Sequence, residues 1–187
     1  MTAVADLDTP VLVIDRARMD ANIQAMADRM RTAGIALRPH FKTSKMIEVA
    51  RRQREAGAVG FTCATLNEVE ALLEAGYTDL FWAHAPATPA KRHRIVEANR
   101  RGRVIVGLDS IHLVRALSDQ ATAAGITVPV RVEIDTGLRR TGVTAEQALE
   151  VARAVATLPG VSLDGVYMHE GQLASLPGDR DDLRHAG

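Results

Sequence analysis

Three lysines stand against twenty arginines in this 187-residue chain, and one of them, Lys42, sits where an amine can be put to chemical use. Arginine keeps its proton. A lysine amine that is partly desolvated or crowded by other cations becomes neutral and nucleophilic near pH 7, the state needed to condense with an aldehyde. Lys42 follows the apolar run Ile35-Ala36-Leu37 within Arg38-Pro39-His40-Phe41-Lys42-Thr43-Ser44-Lys45, so Arg38, His40 and Lys45 are its neighbours in sequence. If the segment is a strand, alternation points Arg38, His40 and Lys42 to one side. The single cysteine, Cys63, lies in an apolar stretch and reads as a small core residue rather than a nucleophile. His84, His93, His112 and His185 fall on separate segments without a spacing such as His-x-x-x-His, so the sequence offers no metal-ligand set.

The elements that must position Lys42 alternate between short β-branched runs and longer helical patterns. The sequence predicts strands over 10–15, 35–42, 58–64, 79–85, 103–109, 128–135 and 161–169, with helices filling the gaps. Met19, Ile23, Met26 and Met30 put one apolar stripe on a helix that ends before Gly34, and this stripe is expected to pack into the core. Thr65 with Glu68, and Thr144 with Gln147, have capping-box spacing. Asp109 or Ser110 is expected to cap a helix carrying Val114, Leu117 and Ala121. From residue 35 onward the unit is strand then helix, which implies parallel pairing. Both a doubly wound sheet and a (β/α)8 TIM-type barrel satisfy that pattern. No Gly-rich phosphate fingerprint follows the first strand, which counts against a dinucleotide fold. Lys42, Thr65, His84, Asp109, Asp135 and His169 all fall at the C-terminal ends of strands, where a barrel keeps its active site. Of these, Asp109 reads also as a helix cap and His84 as a loop residue.

Composition narrows the function classes. A chain with 47% hydrophobic and 25% charged residues is ordinary globular protein. A formal net charge of zero gives no field to gather nucleic acid or an anionic membrane surface. One cysteine cannot make an intrachain disulfide, and the N-terminus carries Asp6 and Asp8 with no long apolar run, so a reducing cytoplasm is the expected compartment.

Four stretches then carry a family resemblance: Leu7-Asp8-Thr9-Pro10; Arg38-Pro39-His40-Phe41-Lys42-Thr43; Glu133-Ile134-Asp135-Thr136-Gly137-Leu138-Arg139-Arg140-Thr141-Gly142-Val143; and Gly165-Val166-Tyr167-Met168-His169-Glu170-Gly171. In order and in kind they resemble the D-threonine aldolase and D-serine dehydratase family, which belongs with the alanine racemase N-terminal fold of the fold-type III pyridoxal-phosphate enzymes. The resemblance implies that Lys42 forms the internal aldimine with pyridoxal 5'-phosphate and that Arg140 lies at the cofactor's phenolic oxygen. It also implies that His169 faces the cofactor ring and that His40 belongs to the same site. Gln172 stands where many relatives have a histidine.

The implied activity is that of a lyase cleaving D-β-hydroxy amino acids, D-threonine to glycine and acetaldehyde. The alternatives are D-serine dehydratase or racemase chemistry on the same fold, or a pyridoxal-phosphate-binding protein without turnover. A divalent metal, Mn or Zn, is expected only from the family's C-terminal β domain. A complete barrel needs eight strands and about 250 residues, whereas the pattern here supplies six βα units. Residues 1–187 are therefore expected to be a partial barrel lacking that β domain, poorly active alone, with a small D-amino acid as substrate and a homodimer among the expected assemblies.

Overall fold

The computed structural model describes residues 4–175. Five strands, β1 (Phe61–Cys63), β2 (Asp79–Trp82), β3 (Arg103–Leu108), β4 (Val128–Ile134) and β5 (Val161–Met168), form one sheet in the order β1-β2-β3-β4-β5. Every pairing is parallel. Six α-helices accompany them among the described residues: α1 (Arg16–Thr32), α2 (Ile47–Glu55), α3 (Leu66–Glu74), α4 (Pro89–Asn99), α5 (Ile111–Ala123) and α6 (Ala145–Thr157). Sequential order without a reversal, each step crossing over through a helix, makes the wall of a barrel rather than a doubly wound sheet.

The local signals explain the helices. Thr65 accepts from Glu68 N at 3.2 Å, while the Glu68 carboxylate returns to Ala64 N at 2.8 Å. Thr144 and Gln147 form the full reciprocal box. Ser110 occupies the N-cap of α5 without a side-chain bond, and Asp109 does not cap; its carboxylate is used elsewhere. The outer face of the sheet buries Leu80, Val104, Val106, Leu108, Val128, Val130 and Val132 against Val69, Leu72, Ile95, Leu117 and Val155 of the helices, in one continuous core. At roughly 2 kcal/mol for each fully buried aliphatic side chain, this layer supplies most of the stabilisation.

Two expected strands are corrected. Residues 10–15 form no strand and pair with nothing among the described residues, and Leu12 is 98% exposed; a strand exists only through a partner's backbone. The 35–42 segment runs alongside β1, with Leu37 O accepting from Val59 N and Pro39 O from Thr62 N, but only His40 forms a bridge, to Thr62. Pro39 has no N–H to continue a ladder, and at Phe41–Thr43 the chain closes into a 3-10 turn. The sheet therefore has five strands where six were expected. The α1 stripe is corrected as well: only Ala27 is buried, and Met26 is half exposed. The helix overlies an apolar cavity of about 330 Å³ between Ile23, Met26, Leu37 and Ala56 instead of being sealed into a core.

The inner face of the sheet is built in tiers. At the floor, Arg38 donates to Asp79 O (2.9 Å) and Oδ2 (2.8 Å), Arg103 bridges Asp79 and Asp164, and Arg131 reaches Asp164 at 2.7 Å. A register shift between Val130 and Arg131 leaves Asp164 unpaired in the ladder and turns it inward to these arginines. Above the floor, Arg131 lies 5.0 Å over the Phe81 ring, and Phe81 meets Tyr167 edge-on at 4.8 Å. Gly107 makes room for Tyr167: a Cβ there would fall 2.3 Å from the phenol oxygen and 2.8 Å from Cζ. Because Tyr167 is held by Phe81 and a hydrogen bond, Gly107→Ala should destabilise the fold by about 2 kcal/mol. Chemical denaturation would read this, and Tyr167→Leu should cost less in the Gly107→Ala background than in the parent, because the clash is then gone.

Candidate active site

The mouth lies at the C-terminal ends of the strands. Lys42 is exposed and sits in the 3-10 turn, its backbone N–H donating to His40 Nδ1 at 3.3 Å. Arg38, expected beside the amine, is drawn down to Asp79 at the opposite end of the strands, because that residue offers two acceptors at once, its backbone carbonyl and its carboxylate. The groups that do surround Lys42 come from other elements. Loss of solvation holds His40 below the usual imidazole range, and the charges of Lys42, His84 and His169 push it further; Glu68 opposes them. His84, just past β2, is held low in the same way by lost solvation and by Arg140 and Lys42, against Glu133. The fold thus brings Lys42, His40, Arg140 and His169 into one electrostatic neighbourhood. His84, set aside as a loop residue from sequence, stands among them.

Arg140 is carried on the 135–143 loop, and that loop is tied down by three carboxylates. Asp135 accepts from Gly137 N (2.9 Å) and Arg139 N (3.0 Å), bonds that hold its carboxyl below the ordinary range. Asp109, at the end of β3, accepts from Gly142 N at 3.1 Å. Glu133, 7% exposed, accepts from Thr141 Oγ1 at 2.8 Å and from Tyr167 Oη at 2.7 Å. The turn has a geometric cost: Arg139 takes φ 55°, and Gly137 and Gly142 take φ 119° and 98°. Burial and the Glu133 bond drive the Tyr167 phenol strongly upward, so it stays a donor. Gln172 donates to Thr136 O at 2.9 Å, tying the loop to the chain beyond His169, and its side-chain oxygen is buried without a hydrogen-bond partner among the described residues. Cys63 is fully buried, and burial pushes its thiol up to about 12, which removes it as a nucleophile. Among the described residues no three His, Cys, Asp or Glu side chains gather to hold a metal ion, and no helix is long and apolar enough to cross a membrane.

Two lowered histidines make stability depend on pH. Each binds its proton less readily folded than unfolded, so the unfolded chain takes up more protons once pH falls through the ordinary value of 6.5. Stability should therefore be flat above about pH 7 and decline between pH 6.5 and about 5, before the carboxylates titrate. Urea midpoints across that window should show the decline in the parent chain and a shallower one in His40→Gln/His84→Gln.

The residues at the mouth fit a carbonyl cofactor. An accessible amine, two imidazoles biased to the neutral form and a guanidinium carried on a tied-down loop are the groups needed to hold an aldehyde and balance an anionic oxygen beside it. Sequence similarity and fold give the family. Residues 14–185 match the family described as alanine racemase, N-terminal domain. The chain is 41% identical over 175 residues to D-threo-3-hydroxyaspartate dehydratase of Delftia sp. (strain HT23), covering 91% of this chain and 45% of that protein. It is 33% identical over 171 residues to D-threonine aldolase of Arthrobacter sp, again 91% of this chain and 45% of the relative. The crystal structure of D-threonine aldolase from Filomicrobium marinum superposes with a TM-score of 0.88 at 34% identity, over 91% of this chain and 46% of that one. The chain thus spans about half the length of the curated relatives it matches. With the sheet order, the Lys42 mouth and the matched span in agreement, the chain belongs to the alanine racemase N-terminal domain family.

Proposed function

We propose that the chain forms the lysine-bearing barrel wall of a pyridoxal-phosphate-dependent lyase acting on D-β-hydroxy amino acids. The observation that carries this reading is the gathering of Lys42, His40, His84, Arg140 and His169 at one end of the sheet, in a chain whose relatives include a D-threonine aldolase and a D-threo-3-hydroxyaspartate dehydratase. When bound, pyridoxal phosphate supplies an electron-withdrawing ring that eases the breaking of a bond at an amino acid's Cα.

The chain's own residues then have distinct duties. Lys42 would hold the cofactor's aldehyde through Nζ, and the same amine in its neutral form would serve to take up a proton. Arg140, on a loop held by three carboxylates, would supply a cation for the cofactor's phenolic oxygen. His40 accepts at Nδ1 from the Lys42 backbone, so its neutral form carries its hydrogen on Nε2, which is left as a donor. His84 makes no such bond among the described residues and is biased to the neutral form, which makes it the imidazole able to accept a proton from a substrate hydroxyl.

Mixing the purified chain with pyridoxal phosphate should produce a visible band that borohydride bleaches. In a form of the protein that spans the length of its relatives, D-threonine or D-threo-3-hydroxyaspartate, with manganese, should yield glycine and aldehyde, or ammonia and a keto acid. A form of that length that binds the cofactor and turns over neither substrate would refute the lyase reading.

A further inference from the structure

All three lysines of the chain lie at the mouth end: Lys42 in the 3-10 turn, Lys45 paired with Glu68 at 3.3 Å, and Lys91 in the first turn of α4. Lys91 has no evident local reason to be there. It is the third residue of a helix that starts at Pro89, where the exposed N–H groups and the helix dipole disfavour a cation, and the first turn holds no acidic residue. Among the described residues Lys91 forms no ion pair, whereas nearby Arg94 is committed to Glu70 at 2.7 and 2.8 Å and to Asn67 at 2.7 Å.

Lys91 lines a cavity of about 540 Å³ together with Thr65, Trp82, His84, Arg94 and Thr141, between the ends of β1 and β2 and the starts of α3 and α4. His84 and Thr141 are also members of the Lys42–Arg140 mouth, so the cavity opens onto the same site. Of the carboxylates around it, Glu70 is paired with Arg94 and Glu68 with Lys45, while Glu133 lies behind the lining residue Thr141 with its oxygens taken by the Thr141 and Tyr167 hydroxyls. The lining itself holds no carboxylate, and with Arg94 committed to Glu70 its uncommitted charge is that of Lys91. A cavity of this size with a surplus cation at its rim selects an anionic substituent.

We propose that this cavity receives a second carboxylate of the substrate and that Lys91 is the residue favouring a D-β-hydroxy amino acid with a carboxylate side chain over one with a methyl group. The assignment rests on the cofactor reading above. It goes further by choosing between substrate types that the relatives leave open, since the methyl group of threonine gains nothing from an ammonium.

The test titrates the pyridoxal-phosphate-loaded chain with D-aspartate and with D-asparagine, its neutral isostere, following the visible band. Neither probe has a β-hydroxyl to cleave through, so binding is read without turnover. D-Aspartate should bind about tenfold tighter, with an advantage that shrinks as salt is raised. Lys91→Met should erase the advantage and Lys91→Arg should keep it, while the thermal midpoint of Lys91→Met stays at or above that of the parent, because an unfavourable cation leaves the helix start. Equal binding of the two probes overturns the proposal, as does a Lys91→Met effect that is equal for both. Loss of pyridoxal-phosphate uptake in Lys91→Met also overturns it, by giving the cavity to the cofactor's phosphate. If no band forms, or if the band survives Lys42→Ala, the cofactor reading falls and takes this assignment with it. A Lys42-dependent band without the D-aspartate advantage sinks the substrate assignment alone.

Discussion

Replacing Lys42 by alanine is expected to abolish the borohydride-sensitive visible band and, in any form of the protein that turns over, to lower kcat by roughly three or more orders of magnitude. The expectation is sharp because the chain offers few substitutes. Of its other two amines, Lys45 is engaged with Glu68 and Lys91 belongs to the neighbouring cavity. Lys45→Ala and Lys91→Ala should both retain the band, and borohydride reduction should leave the cofactor on the peptide containing Lys42. An arginine at 42 should behave as alanine does, since a guanidinium does not surrender its proton. A band of unchanged intensity in Lys42→Ala would show that pyridoxal phosphate reacts with surface amines indiscriminately and would remove the basis of the proposed function.

Glu133→Ala should be the most damaging single change near the mouth that leaves Lys42 in place. Two opposing effects decide its size. A buried carboxylate without a cation in contact carries a desolvation cost, which its removal would relieve. Against this, the substitution strands the Tyr167 and Thr141 hydroxyls, breaks two bonds to an ionised acceptor and opens a cavity. The second group is the larger, and we expect a loss of about 3 kcal/mol, or a fall of roughly 8 °C in Tm for a chain of this size. Tyr167→Phe and Thr141→Val should each cost about 1 kcal/mol. The double change Tyr167→Phe/Thr141→Val should make Glu133→Ala much milder, since no hydroxyl is then left unpaired. Because Thr141 adjoins Arg140, Glu133→Ala should also weaken cofactor uptake, whereas Gly107→Ala, damaging the fold from below the mouth, should lower Tm more than affinity. Stabilisation by Glu133→Ala would mean that the burial penalty dominates and that the carboxylate is no anchor.

What the sequence determined by itself is the part encoded in neighbours. Capping spacings at Thr65 and Thr144 placed the starts of α3 and α6, and the β-branched runs located all five strands of the sheet. Strand-end positions brought Lys42, His169 and the Arg140 loop to one end, since a parallel sheet puts every C-terminal end on the same side.

The tertiary structure decided what depends on partners far along the chain. Arg38 left the Lys42 neighbourhood for Asp79, 41 residues away. Asp109, which resembles a helix cap, serves Gly142, 33 residues on, and Glu133 joins Tyr167 across a strand pair. His84 enters the site only because β2 ends beside the mouth. The 35–42 run, strand-like in pattern, stops at a single bridge for want of a donor at Pro39 and a turn at Phe41. The physical reason is common to all of these. Periodicity and capping are local free energies, readable from spacing alone. Which carboxylate meets which donor is set by strand register and by the one-residue shift between β4 and β5, and these exist only once the sheet has formed.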